Sequence, residues 1–300
     1  MERRPYCDAD LLRLQGACAA WIAESGTCGY GHVGDLPHRI YEDLHGRGPV
    51  EELVHVWERG GEIVGVAITL RFGCAFDVLA APSLRGSDLE LEMLRTGYET
   101  TAARLPDHEE YVLSDAFDCD RPRIEALTQL GFERFRTWDH FRERELQDDV
   151  APPELPAGFV LRSARTSDAE QLAATRNSAF GADWTGASFR AAVMEKPGYD
   201  PDREIVVESA DGRIAALALY WLDERNRLGH FEPVGTHREF RRRGFARAAM
   251  LEGMLRMRAA GMRAVSITHD AENVAALRLY ESLGFRRRYE TYGFRRPVPR

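Results

Sequence analysis

Phe231-Glu-Pro-Val-Gly-Thr-His-Arg-Glu-Phe-Arg-Arg-Arg-Gly-Phe-Ala-Arg247 is the stretch that decides the fold of this 300-residue chain. It begins as a strand and becomes a helix, whose apolar arc is carried on by Met250, Leu251, Met254 and Leu255 at helical spacing. Between strand and helix lies Arg241-x-x-Gly244-x-Ala246. A helix N-terminus offers amide N–H groups without helical partners and the positive end of the helix dipole. Phosphate binds there when the backbone can be approached, and Gly244 and Ala246 keep side chains out of the way. Arg241, Arg242, Arg243 and Arg247 add positive charge suited to a ligand with several phosphates. The same residues also read as a solvated basic helix start, or as a patch for nucleic-acid phosphates. No aromatic interleaving or nucleic-acid motif accompanies them. Pro233 cannot donate to a sheet ladder, so it implies an edge, a bulge or a splayed pair of strands. A splay bares backbone groups that an extended, amide-bearing ligand can bond as an added strand would.

A second stretch, Val265-Ser-Ile-Thr-His-Asp-Ala-Glu-Asn-Val-Ala-Ala-Leu-Arg-Leu-Tyr-Glu-Ser-Leu-Gly-Phe285, repeats the strand-to-helix pattern. The strand ends near Thr268 and the helix begins near Asn273. Ala276, Leu279, Tyr280 and Leu283 share one helical face. Spacing alone makes Tyr280 a core tyrosine and Asn273 a helix N-cap.

In this order and context, Arg241-x-x-Gly244-x-Ala246, Asn273, Tyr280 and Leu283-Gly-Phe285 resemble the GNAT superfamily of N-acetyltransferases. The resemblance covers residues 159–294 closely and the first half in layout only. It implies a mixed α/β sheet with flanking helices. Acetyl-CoA, as co-substrate, would lie in a wedge between the strands at residues 231–235 and 264–268. Backbone at Val234, Gly235 and Thr236 would bond its pantetheine. The N–H groups of Arg242, Arg243, Gly244, Phe245, Ala246 and Arg247 would hold its pyrophosphate, with Arg241 heading the motif. Asn273 would touch the pantetheine, and Tyr280 would protonate the departing thiolate. The implied reaction is acetyl transfer to a primary amine of a small-molecule or peptide acceptor, by direct attack in a ternary complex. Such chemistry asks for a base. Glu232, on the strand beside the wedge, is the candidate, with His230 and His237 as rivals; a plain surface carboxylate is its other reading. A non-catalytic acyl-CoA sensor is the alternative function.

Polar then proline-rich residues 147–158 read as a linker. Around it, landmarks recur in one order. Gly61-Glu-Ile-Val-Gly-Val-Ala67 matches Gly212-Arg-Ile-Ala-Ala-Leu-Ala218, the junction at Arg85 matches that at Arg241, and Leu130-Gly-Phe132 matches Leu283-Gly-Phe285. The expected domains are therefore a degenerate GNAT-like domain at 1–146 and an active one at 159–300. With Arg85 set on Arg241, Asp88 stands at the position of Gly244 and Glu90 at that of Ala246. With the Leu-Gly-Phe turns aligned, Leu127 stands at that of Tyr280. Both departures point to a first half without a working cofactor site. Within the second half, Asp183 and Trp184 fall where the superfamily contacts its acceptor.

The bulk composition agrees with a globular protein: 44% hydrophobic and 29% charged residues. A net charge of −8 argues against nucleic acid as a partner. No apolar run suits a membrane span and the first residues have no leader pattern, so a cytoplasmic location is expected. No metal-ligand spacing occurs. The five cysteines, all in the first half and with no CxxC pair, read as free thiols. Glycine-rich residues 26–34 lack a phosphate-loop lysine and read as a loop. Monomer and homodimer both remain open.

Overall fold

Runs of β-branched and aromatic residues become strands, and segments with helical apolar spacing become helices, because each buries one face that water would otherwise contact. The structure is a computed structural model. It describes residues 1–146 and 150–298, so residues 147–149, the start of the expected linker, lie outside the described residues. Its strands are β1 (Glu2–Pro5), β2 (Val54–Arg59), β3 (Glu62–Arg71), β4 (Ala75–Ala80), β5 (Tyr111–Phe117), β6 (Glu133–Glu145), β7 (Phe159–Ser163), β8 (Glu204–Ser209), β9 (Ile214–Asp223), β10 (Leu228–Thr236), β11 (Ala264–Asp270) and β12 (Arg286–Pro297).

The chain packs as two units. The first comprises Met1–Phe141, His269–Asn273 and Arg287–Arg300; the second comprises Arg142–Thr268 and Val274–Arg286. Packing thus groups the C-terminal strand with the first half of the chain, whereas linker composition alone assigned it to the second. Its pairing explains why. β12 lies antiparallel to β5, with Thr291 opposite Phe117 and Pro297 opposite Tyr111. The first unit's sheet runs β1-β2-β3-β4-β5-β12-β6, and the second's runs β11-β10-β9-β8-β7. In both units antiparallel hairpins lead into a parallel pair, β4 with β5 and β10 with β11.

Each unit has its own core. In the first, the helix Asp10–Ser25 buries Leu11, Leu14, Cys18, Trp21 and Ile22. In the second, the helix Phe245–Ala259 buries Phe245, Met250, Leu251, Met254 and Met257. Each fully buried large apolar side chain contributes about 1.5–3 kcal/mol.

The halves also share polar detail that the sequence landmarks did not include. Arg4 joins Asp10 at 2.6 Å and Glu58 at 2.7 Å; Arg162 joins Asp168 at 2.6 Å and Glu208 at 2.8 Å. Each arginine ties the first strand of its half to the start of the following helix and to the next strand. Phe76 packs on Gly97 as Phe231 packs on Gly253. This last correspondence keeps Asp88 and Glu90 in step with Gly244 and Ala246.

Candidate active site

The second unit's site starts with an irregularity in β10. The strand pairs with β9 on both sides of a register shift between Phe231 and Val234, and the Glu232–Pro233 peptide is cis. On its other side β10 pairs with β11 from Leu228–Ala264 to Phe231–Ile267; among the described residues that ladder goes no further. Pro233 therefore marks both a bulge and the point where the parallel pair ends. Beyond it, the strand is paired on the β9 side alone, so Val234, Gly235 and Thr236 carry backbone groups on the β11 side that an extended ligand can bond. The carbonyl of Glu232 is held by the indole N–H of Trp221 at 2.9 Å. Gly235 is required by close approach. A Cβ there would lie 2.9 Å from Phe180 and 3.1 Å from Ala179, at the end of the helix Ala169–Phe180.

The strand then turns through residues 237–244 into the helix Phe245–Ala259. Gly244 is its N-cap, at φ 81° and ψ 5°. A Cβ there would meet nothing within 4 Å, so glycine serves backbone conformation here rather than space. Arg242 also has a positive φ, 62°. Left-handed residues alternating with right-handed ones turn successive N–H groups toward one point, the nest geometry that binds anions. Ala248 N–H is the first to reach back into the helix, to Gly244 O at 2.9 Å. The amides of Phe245, Ala246 and Arg247 precede it, and no acidic residue stands in the first turn.

The four arginines divide by task. Arg241 points its guanidinium at Ser178 O and Ala179 O, both at 3.4 Å, on the carbonyl end of the helix Ala169–Phe180. Arg243 stacks on Phe159 at 4.8 Å and Phe245 at 5.0 Å. Arg247 donates to Ser282 O and Oγ at 3.0 and 2.9 Å, at the end of the helix Val274–Ser282. Arg242 is exposed and makes no hydrogen bond or ion pair among the described residues. Three of the cations thus shape the loop, and Arg242 presents its charge to solvent.

Glu232, Val234 and Thr236 are half-buried, alternating with buried Phe231, Pro233 and Gly235. Tyr280 is buried, 6% exposed, and sits in the core cluster with Leu283 and Phe285. Burial pushes its hydroxyl pKa well up, and the nearby Glu232 carboxylate pushes it further. A phenol so placed keeps its proton at neutral pH. Spacing read Tyr280 as a core residue, and its burial in this cluster agrees. Asn273 is exposed, directly before the helix Val274–Ser282, and its N–H donates to Asp270 O at 3.0 Å. His230 is fully buried with Nδ1 2.8 Å from Ser266 Oγ. His237 accepts from Glu239 N–H at 3.4 Å; burial and then Arg213 push its pKa down. Trp184 is buried against Phe189, its backbone held by Asn177 at 2.8 and 2.7 Å. It is a core residue, and Asp183 beside it is exposed.

The first unit fills the corresponding places with its own side chains. β3 and β4 shift register after Ile68–Asp77, which puts Asp77 at the counterpart of Glu232 and Val78 at that of Val234. Arg123 donates to Val78 O at 2.8 Å, occupying the carbonyl equivalent to Val234. Glu90, fully buried, accepts from Gly86 N–H at 2.5 Å and pairs with Arg123 at 2.6 Å. Burial opposes ionisation of Glu90, but Arg123 and the Gly86 amide hold its pKa below the ordinary carboxylate range. Asp77 is paired with Arg39 at 2.7 Å and with Arg71. These arginines overcome its burial and keep its pKa low, whereas burial and then the charge of Asp77 raise Asp115 to about 6. Asp139 is raised to about 7 by burial and then by Asp115. Sequence reasoning found the carboxylate at Glu90 and missed its partner, because Arg123 lies 33 residues away and no spacing rule links them.

Expected as a free thiol, Cys28 is instead joined to Cys119, 91 residues away, with Cα atoms 6.3 Å apart. Cys7, Cys18 and Cys74 are not disulfide-bonded. The pairing was invisible to spacing because the fold alone brings the two loops together.

A bulged strand, a ladder that ends at the bulge and an uncapped basic helix start together bare backbone groups beside positive charge. Residues 169–285 match the family model described as "Acetyltransferase (GNAT) family". A mycothiol acetyltransferase of Thermobispora bispora is 30% identical over 171 residues, 53% of this chain and 56% of that protein. Another, of Tsukamurella paurometabola, is 27% identical over 294 residues, 90% of this chain and 92% of that protein. The solved structure of a tandem GNAT protein from the clavulanic acid biosynthesis pathway, without acetyl-CoA, aligns with a TM-score of 0.65 at 14% identity, over 100% of this chain and 99% of that one. The chain spans little more than half the length of the first of these relatives and nearly all of the second. It therefore carries a GNAT-family acetyltransferase domain in its second half, and as a whole it has the tandem GNAT fold. Among the described residues no helix is long and apolar enough to cross a membrane.

Proposed function

We propose that the second unit transfers an acetyl group from acetyl-CoA to a primary amine, and that the first unit binds no acyl-CoA. The observation that carries the reading is the end of the β10–β11 ladder at Phe231, followed by the Gly244 helix start with no acidic residue in its first turn. Pantetheine would bond the backbone of Val234 to Thr236, and the pyrophosphate would rest on the amides from Arg242 to Arg247, with Arg242 adding charge. The amine nitrogen attacks the thioester carbonyl, forming the amide bond as the carbon–sulfur bond breaks. Glu232 accepts the amine proton, directly or through water, and Tyr280 gives its proton to the departing thiolate. The raised pKa of Tyr280 favours the protonated form that this step needs. The relatives' printed names make a small-molecule amine the first acceptor class to test.

Release of CoA thiol from acetyl-CoA is followed with a panel of amino sugars, amino acid amides, polyamines and peptides. Amine-dependent release that falls in Glu232→Gln supports the assignment. Tight acetyl-CoA binding with no amine-dependent release from any member would favour the acyl-CoA sensor instead. Calorimetry should give one acetyl-CoA per chain; a stoichiometry near two would overturn the assignment of the first unit.

A further inference from the structure

The Arg123–Glu90 pair does not fill all of the first unit's counterpart site. A small open cleft remains, with room for about one water (about 20 Å³), lined by Gly29, Tyr30, Asp77, Asp115, Phe117 and Asp120 among others. Two loops frame it. One follows the helix Asp10–Ser25 and carries Cys28 beside Gly29 and Tyr30. The other follows β5 and carries Cys119 between Phe117 and Asp120. The disulfide joins these loops, so on both sides it is bonded to residues next to the cleft lining. Cys119 is exposed and Cys28 is half-buried, so Cys119 is the more accessible end of the bond.

We propose that Cys28–Cys119 is a thiol-exchange site: a low-molecular-weight thiol opens this strap and loosens residues 26–34 at the mouth of the first unit's cleft. The assignment is independent of the acetyl-transfer reading. A thiolate RS⁻ attacks the sulfur of Cys119, forming RS–S–Cys119 as the Cys28 sulfur leaves with the electron pair of the broken bond. A second RS⁻ attacks the mixed disulfide, giving RSSR and the Cys119 thiolate; each protein thiolate then takes a proton from water or from the incoming thiol. The protein disulfide is reduced by two electrons, and two RSH are oxidised to RSSR. The surroundings favour the exchange. Arg85 donates to Cys28 O at 3.1 Å, which puts positive charge beside the residue that carries the leaving thiolate. Cys119 precedes Asp120, the N-cap of the nine-residue helix Arg121–Gln129, whose positive end favours an anionic sulfur.

Other contacts remain after opening. Arg85 pairs with Asp120 and lies 5.1 Å from the centre of the Tyr30 ring. Tyr30 and Val33 stay in the first unit's core, and Tyr30 Oη donates to Ala80 O at 2.8 Å. These contacts keep the loops close enough to re-form the bond on oxidation, while the covalent strap limits their motion. A dissolved thiol attacks a disulfide and not another thiol, so Cys7, Cys18 and Cys74, none of them disulfide-bonded, are not its targets.

The test uses the full chain. Protein purified without reductant is denatured and alkylated with N-ethylmaleimide, and its intact mass is read. Three adducts are expected, rising to five after the folded protein has been held in millimolar reduced glutathione. Hydrogen exchange of the oxidised, reduced and Cys119→Ser proteins is then compared. Reduction and Cys119→Ser should each speed exchange in residues 26–34 by at least about tenfold, with little change in residues 245–259. Five adducts without reductant would show that the thiols do not pair. Three adducts after glutathione, or unchanged exchange in residues 26–34 once the bond is broken, would make the link a static brace. Any of these outcomes overturns the proposal.

Discussion

Gly244 allows the phosphate reading to be tested by charge alone. Its φ of 81° is left-handed, so most substitutions strain the backbone, but the space around its absent Cβ is open to 4 Å. Asn tolerates that conformation better than other residues with a side chain. Asp has the same shape and differs by one charge. If a pyrophosphate rests on the amides of the following turn, the Asp carboxylate would stand about 4–5 Å from a phosphate charge. Two such like charges repel by about 4 kcal/mol at an effective dielectric of 20 and by about 1 kcal/mol in bulk water. Gly244 is exposed, so the real value lies between them, which is about five- to several-hundred-fold in affinity.

The assay is calorimetric titration of acetyl-CoA into the wild type, Gly244→Asn and Gly244→Asp, at low and at high salt. Gly244→Asn should bind within about thirtyfold of wild type, its loss being backbone strain of about 1–2 kcal/mol at most. Gly244→Asp should bind more weakly than Gly244→Asn by the electrostatic factor, and the gap should narrow as salt screens the exposed charge. Stability provides the control. A carboxylate at a helix N-cap is favourable, so the Asp variant should melt no lower than the Asn variant. Equal affinities for the two variants, or a gap indifferent to salt, would refute the placement of the pyrophosphate at this turn.

Three further outcomes are expected. Tyr280→Phe should lower kcat by about 10- to 1,000-fold while leaving acetyl-CoA affinity nearly unchanged; release of thiol at the wild-type rate would leave Tyr280 a packing residue only. Glu90→Ala strips a buried arginine of its charge partner and should cost about 3–5 kcal/mol in urea unfolding, whereas the double change Glu90→Ala with Arg123→Met should cost less; a double variant as unstable as the single one would contradict the pairing. Asp139 faces Asp115, Asp270, Arg71 and Arg39, and its folded pKa of about 7 lies above the unfolded value of about 3.9. The native state therefore holds this proton longer, and the stability it contributes is lost as pH rises from about 4 to about 7. Asp139→Asn removes that loss, so its Tm advantage over wild type should grow across this window and level off above it; an advantage that is constant with pH would show that Asp139 does not titrate there.

The sequence carried the layout and the second half's cradle because both rest on local rules. The bulge at Pro233, the helix start at Gly244 and the arc through Met250 and Met254 are each written within a few residues. What it did not carry depends on contacts between distant residues. Packing of the C-terminal strand against β5 depends on the pairing of Tyr292 with Ala116, which no periodicity encodes. Trp184 falls where the superfamily contacts its acceptor, but Phe189 and the backbone bonds to Asn177 bury it. The arginines at 241, 243 and 247 read as one cluster of charge, and only the fold assigns each a different partner.

On the reading proposed above, the first unit keeps the fold while its own side chains take the places of a ligand. Sequence alignment predicts repulsion between carboxylates and a pyrophosphate, as though the site were otherwise intact. The structure gives a fuller account. Glu90 supplies the anion that accepts the Gly86 amide, and Arg123 supplies the donor that reaches Val78 O, so backbone groups corresponding to those of a phosphate and pantetheine cradle are satisfied from within. Buried polar groups left unpaired cost about 1–3 kcal/mol each. Replacing a transient ligand by permanent side chains therefore stabilises the unit whether or not cofactor is present. It also explains why changing Asp88 and Glu90 alone would not restore binding: removal of Glu90 leaves Arg123 buried, cationic and still bonded to Val78 O. The half that retains Gly244 and Ala246 leaves its helix start uncapped by any side chain. It thereby forgoes that stabilisation and leaves those amides for the acetyl-CoA proposed above.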